Sequence, residues 1–170
     1  IVGDSSQGKT ETVTNLMRHY QTGAKVECKN ASTAGLLGGL EQIGGKWFVK
    51  WGMIPMHDRR LVFLEELKGA RTEVVSSLTD MRSSGVAQID KIEKRRALAR
   101  VRLIAVSNPR SDMPMSSYNF GLETIPELIG GLEDVRRFDA AMAVAEADVD
   151  ASVLNRLEAD RPVVAHVYES

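Results

Sequence analysis

The sequence has little with which to cross-link itself or to ligate a metal. Cys28 is the one cysteine among 170 residues, which excludes an internal disulfide and points to a reducing compartment: cytoplasm or nucleoid, or the nucleus in a eukaryote. His19, His57 and His166 lack metal-ligand spacing, so no structural metal is expected. No apolar run approaches the roughly 20 residues of a membrane-spanning helix, and the opening residues do not read as a secretion signal. An excess of one charge is missing too. Lys and Arg number 22 against 23 Asp and Glu, a formal net charge of -1, so contact with nucleic acid would have to come from a local basic patch. There is no internal repeat and no low-complexity tract. A hydrophobic content of 43% with 26% charged residues excludes fibrous and disordered classes and suits one globular domain. An initiator Met is also lacking, and only Ile1 and Val2 precede the first motif where a strand usually runs about five residues. The chain is therefore expected to begin inside a domain.

What is present starts at once. Gly3-Asp4-Ser5-Ser6-Gln7-Gly8-Lys9-Thr10 satisfies Gly-x-x-x-x-Gly-Lys-Thr, the phosphate-cradling loop of nucleoside triphosphatases. Gly3 and Gly8 let successive N–H groups curl around phosphate oxygens, Lys9 adds a point charge, and Thr10 offers a hydroxyl to Mg²⁺. An apolar pair before the loop and a helix-compatible run from Thr10 to Tyr20 supply the context, since a helix N-terminus favours anions. ATP with Mg²⁺ is the expected ligand.

Beyond that helix, Gly23 is a stop and Ala24 to Cys28 alternates like a short strand. Ala31 to Leu37 is too rich in small residues for a strong helix, and Gly38-Gly39 breaks it. Leu40–Ile43 and Lys46–Trp51 flank Gly44-Gly45, a two-residue link of the kind that forms primed hairpin turns. Trp47, Val49 and Trp51 would share one face, where aromatic packing is the plain reading. Leu61 to Leu64 and Leu103 to Val106 are apolar runs of the length of strands buried on both faces. Between them, Ala70, Val74, Leu78 and Met81 recur near the helical period until Gly85. Val86 to Lys91 reads as a strand and Glu93-Lys94-Arg95-Arg96 as a charged turn. A short helix over Thr124 to Leu128, a break at Gly130-Gly131, a last strand over Ala140 to Ala145, a helix over Asp150 to Glu158 and a weakly patterned tail from Pro162 complete the expectation.

Four features could carry chemistry. Glu65 and Glu66 end a buried strand downstream of the loop, which suits one acid to support Mg²⁺ and one to orient the attacking water; on a solvated strand end they would be ordinary. Asn108, at the end of the next buried strand, could reach the γ-phosphate side of that water, or simply start an Asn-Pro turn. Arg137, in Arg136-Arg137-Phe138-Asp139, could stabilise transition-state charge, or form a surface ion pair. Lys91, Lys94 and Arg95 belong to the densest basic segment, Lys91 to Arg100, which could meet DNA phosphates or only solvent.

In this order, the parts resemble the AAA+ ATPase core of the minichromosome maintenance (MCM) helicase family over nearly the whole chain. Ala31 to Leu36 is similar to the small-residue stretch before the family's helix-two insert, whose place the Gly44-Gly45 hairpin takes. Gly52 to Asp58 is similar to the lead into the Mg²⁺-acid strand. Gln88 to Lys91 resembles the strand that carries a DNA-contacting lysine, Ser107-Asn108-Pro109 the first sensor, and Arg137-Phe138-Asp139 a motif whose arginine acts on the neighbouring subunit. Gly8-Lys9-Thr10 departs from the family's Ala-Lys-Ser, and Glu65 from its usual Asp, so a divergent member is implied. The resemblance implies a three-layer αβα P-loop core with a central parallel sheet and inserted β-hairpins, spanning 1–170 without helical lid, N-terminal or C-terminal domain. It further implies a homo-oligomeric ring that hydrolyses ATP to move on DNA. A different reading of the same parts is a non-unwinding AAA+ switch or scaffold that uses ATP to assemble with protein partners. A monomeric P-loop kinase is the third, though it leaves Asn108 and Arg137 without a task.

Overall fold

A computed structural model of the chain describes residues 1–92, 94–129 and 132–148, without the side chains of Leu132 and Glu133. The expected Gly130-Gly131 break, the helix from Asp150 and the tail lie outside the described residues. Strand β1 (Val2–Gly3) leads to helix α1 (Lys9–Tyr20) and strand β2 (Ala24–Glu27). After α2 (Thr33–Leu36), β3 (Gly38–Ile43) and β4 (Lys46–Trp51) form the first hairpin. Then follow α3 (Met53–Met56), β5 (Leu61–Glu65), α4 (Thr72–Ser84) and the second hairpin, β6 (Val86–Asp90) with β7 (Lys94–Leu98). Strand β8 (Arg102–Val106), helices α5 (Thr124–Ile129) and α6 (Leu132–Val135), and β9 (Ala143–Val144) end the described chain.

The fold is mixed α/β around parallel strands. β5 pairs with β2 on one side and β8 on the other, and β1 pairs with β9, all parallel. A parallel bridge between Val2 and Ser107 joins the two sets, reinforced by Ser107 N–H to Ile1 O at 3.1 Å and Gly3 N–H to Ser107 O at 3.2 Å. The strand order is therefore β2-β5-β8-β1-β9, and the loops after β1, β5 and β8 leave from one edge.

Alternation along β5 explains why it is apolar throughout. Phe63 packs with Val13 of α1 and Val106 on one face, while Val62 and Leu64 face Val74, Leu78 and Met81 of α4 and Leu128 of α5 on the other. Val62, Phe63 and Leu64 are at most 1% exposed, and each such burial contributes about 2 kcal/mol. Helix, sheet and helix thus form three layers. Among the described residues no helix is long and apolar enough to cross a membrane.

The first hairpin turns as its glycines dictate, with φ of 57° at Gly44 and 80° at Gly45, values that only glycine adopts freely at both turn positions. Shared aromatic packing holds at its base and fails at its tip: Trp51 packs against the core, whereas Trp47 is 51% exposed, because the strands project beyond the layer that could cover it. The expected charged turn at Glu93 to Arg96 is also corrected, since Lys94, Arg95 and Arg96 are strand residues paired with Asp90, Ile89 and Gln88. The ladder satisfies their backbone groups, and Arg96 Nε donates to Gln88 Oε1 at 2.8 Å. The last strand is only Ala143–Val144, the length its two-residue partner β1 can pair. The base of the first hairpin adjoins the second near its tip, where a Cβ on Gly38 would lie 3.2 Å from Ile89 Cδ1, one pair from the end of the β6–β7 ladder.

A carboxylate clamps the second hairpin to the lead into β5. Asp58 accepts from Arg100 through the backbone N–H at 2.7 Å, Nε at 3.1 Å and Nη2 at 2.6 Å. These bonds, with the guanidinium charge, pull the Asp58 carboxyl from an ordinary 3.8 to about 2. A depressed carboxylate stabilises the fold fully above its unfolded value and loses that contribution as pH falls through the folded one. Asp58→Asn is therefore expected to flatten the acid limb of stability against pH between 3.8 and about 2, measured by denaturant unfolding at stepped pH. An unchanged acid limb would show that the clamp does not hold.

Candidate active site

The loop between β1 and α1 alternates handedness, with left-handed φ of 61° at Ser6 and 67° at Gly8, which turns successive N–H groups to one side. Among the described residues no backbone carbonyl accepts from the N–H groups of residues 5–10. They include the first-turn donors of α1, where the helix dipole favours an anion. A Cβ on Gly8 would meet nothing within 4 Å, so the glycine serves its positive φ and an open approach. At Gly3 the reason differs: a Cβ would sit 2.1 Å from Val144 O, so strand packing requires glycine there.

Gly3 and Asp4 hold the loop rather than donate into it. Their N–H groups go to Ser107 O and Val144 O, both at 3.2 Å. The Asp4 carboxylate accepts from Met115 N–H at 2.8 Å and Glu146 N–H at 3.0 Å. The open donors start at Ser5. Lys9 is 9% exposed, and its Nζ donates to Gly3 O at 3.0 Å and to Asp4 O. Burial draws the Lys9 amine below its ordinary range, opposed by the nearby Asp4 and Glu66 carboxylates.

Glu65 ends β5 against Lys25 of β2, with Nζ to Oε2 at 2.7 Å. Lys25 holds the Glu65 carboxyl below the usual range against the opposing effect of desolvation, and a hydrogen bond from Thr10 adds to the lowering. The Thr10 hydroxyl and the Glu65 carboxylate therefore lie side by side, two hard oxygens of the kind that would suit Mg²⁺. Glu66 adopts φ 55°, ψ 51°, a left-handed conformation that costs a side-chain-bearing residue about 1 kcal/mol. Strain of this kind persists where the surroundings over-determine it and gathers at functional sites. Beneath both acids, Cys28 is fully buried. Burial first, then the Glu65 and Glu66 charges, push its thiol up to about 11, so it packs as an apolar residue and supplies no nucleophile.

Asn108 completes the group. Its Nδ2 donates to Ser5 Oγ at 3.1 Å, which brings the end of β8 onto the loop between β1 and α1. The structure thus gathers Ser5, Lys9, Thr10, Glu65, Glu66 and Asn108 at one edge of the sheet. It does not bring Arg137 there. That guanidinium lies on α4, donating to Thr79 O at 3.3 Å and Ser83 Oγ at 2.5 Å. Lys91, Lys94 and Arg95 are exposed on the second hairpin. A cleft of about 740 Å³ opens on the α4 side of the sheet, lined by Arg82, Leu103, Leu128, Arg137 and Phe138 among others and reaching Leu67 and Ser107, with the Arg82 guanidinium 4.1 Å over the Phe138 ring. Sequence reasoning missed Lys25 and gave Ser107 no role of its own. Lys25 carries no motif, and its meeting with Glu65 follows from the β2–β5 register alone. Compared with protein-family models and with curated proteins, the chain matches none.

Proposed function

We propose that the chain is the Mg²⁺-dependent ATPase core of a divergent MCM-like helicase, active as a ring that moves on DNA. The observation that carries this reading is the convergence at one edge: Asn108 on Ser5 and Thr10 on Glu65 join the loops after three neighbouring strands. In this reading the N–H groups of residues 5–10 and the Lys9 ammonium hold the phosphates, Thr10 and Glu65 hold Mg²⁺, Glu66 orients the attacking water and Asn108 fixes it from the other side. Mg²⁺ would supply charge neutralisation at the phosphate oxygens. Arg137, turned away from its own loop, is the residue offered to a neighbour's site. The strand order β2-β5-β8-β1-β9 also supports a P-loop core of the AAA+ kind, with ligands at the carboxyl ends of the strands.

The second hairpin supports DNA as partner, because Lys91, Lys94, Arg95 and Arg96 are all exposed on it. A specific observation also favours the other reading, an ATP-driven switch for protein partners. Ile43, Trp47 and Phe48 near the tip of the first hairpin are 59%, 51% and 50% exposed, large apolar side chains on both faces of the ribbon that would suit a protein surface. Phosphate release by the full-length protein with and without single-stranded DNA separates the two. The helicase reading expects stimulation, together with a slope of log affinity against log salt that falls by about 0.7 in Lys91→Ala and again in Lys94→Ala. A rate indifferent to DNA, with an unchanged slope, would favour the switch.

A further inference from the structure

We propose that Ser107 is a positioning residue that sets Glu66 and Asn108 against the phosphate loop, an inference that rests on the functional reading above. Ser107 is 2% exposed, one of few polar residues buried among those described, and every polar group it has is used. Its Oγ accepts from Lys68 N–H at 3.0 Å and donates to Asn108 O at 2.9 Å. Its backbone N–H and C=O join β1, through Ile1 O and Gly3 N–H. Three parts of the site therefore meet in one side chain and its peptide: the root of the phosphate loop, the turn after Glu66 and the residue that reaches Ser5.

The bond to Lys68 matters because of where that N–H lies. Glu66 is left-handed and starts the tight turn Leu67–Gly69, whose leading N–H groups have no partner within the turn. Ser107 Oγ accepts one of them. The Lys68 ammonium reaches Asp112 in the loop after Asn108, so the turn is held on both its backbone and its side chain to the end of β8. Remove the hydroxyl and a part-buried donor loses its acceptor, which favours movement of the turn. Glu66 can then relax from its strained φ, carrying its carboxylate off the water. The donors of residues 5–10 and Lys9 keep their own supports, so nucleotide binding should survive. Ser107 thus acts on the chemical step through Glu66.

The experiment compares Ser107→Ala with the isosteric pair Ser107→Thr and Ser107→Val, which share one shape and differ in the hydroxyl, so that poor fit of the added methyl affects both alike. Amide hydrogen exchange at Lys68 without nucleotide reports the bond directly, independent of any activity; faster exchange is expected in the Ala and Val variants. For ATP in the full-length protein, the affinity of Ser107→Ala should stay within about twofold while its kcat falls about tenfold, the pattern of an interaction needed in the transition state. Ser107→Thr should turn over about tenfold faster than Ser107→Val, and Ser107→Ala should add little in a Glu66→Gln background, because residues that act as a unit are not additive. Equal kcat in the Thr and Val variants, or full additivity with Glu66→Gln, overturns the inference while wild-type hydrolysis stands. A wild-type protein that binds no ATP overturns the functional reading itself, a result distinguishable from the first.

Discussion

Lys9→Ala is expected to abolish measurable nucleotide binding, a loss of at least about 100-fold in affinity, or about 2.7 kcal/mol. The Lys9 side chain is almost fully buried, and its amine lies against the carbonyls of Gly3 and Asp4, inside the curl of the loop. A phosphate oxygen there gains a charge-assisted bond in a site that water screens poorly, worth about 1.5–3 kcal/mol before longer-range attraction is counted. An arginine should not substitute, because its planar fork is larger than the space an ammonium occupies. Titration with a fluorescent ATP analogue checks the result, with circular dichroism to show that the variant folds. Retained affinity in a folded Lys9→Ala protein would remove the loop from the site.

Glu66→Gln and Arg137→Ala proteins, each expected to hydrolyse ATP at about a hundredth of the wild-type rate or less, should recover activity when mixed. Gln keeps the size of Glu66 and its place beside Lys9 but cannot take up a proton, so binding persists and turnover stops. Arg137 is bonded instead to Thr79 and Ser83 in the C-terminal half of α4. In the proposed ring, some interfaces of a mixed assembly would join an intact Glu66 to an intact Arg137, and those would turn over. Recovery therefore reports a site shared between subunits. A mixture as inactive as its components, under conditions where subunits exchange, would return Arg137 to the structural role its α4 bonds already describe.

What was legible in the sequence was whatever short-range pattern encodes. The loop between β1 and α1 carries its own geometry in Gly3, Gly8 and Lys9. The first hairpin follows from two glycines, and β5 from an apolar run that only a doubly covered strand needs, whereas the similar run in β8 is covered less fully, with Leu103, Ile104 and Ala105 half-buried and only Val106 buried. The loops after those strands could be placed because parallel strands deliver their carboxyl ends to one edge. What stayed hidden depends on register and on distant packing. Lys25 meets Glu65 only because β2 runs parallel to β5 with Glu27 opposite Glu65. Ser107 gains its role from Lys68, 39 residues earlier in the chain. The charged run after Glu93 reads as a turn by composition, yet pairing with β6 draws it into a strand. Trp47 alternates in phase with Trp51, but periodicity cannot tell where the core ends along a projecting hairpin. Asp4 was equally illegible in one respect: its carboxylate accepts from the backbone amides of Met115 and Glu146, contacts that no local pattern announces.

The most direct test of the central claim is a backbone and side-chain amide chemical-shift map of the wild-type protein titrated with ATP and Mg²⁺. The expected result is saturable perturbation concentrated at residues 5–10, Glu65, Glu66 and the Asn108 side-chain amide, absent in Lys9→Ala. Perturbation centred on Arg82, Phe138 and Leu103 in the cleft beside α4, or none at all at saturating nucleotide, would contradict it.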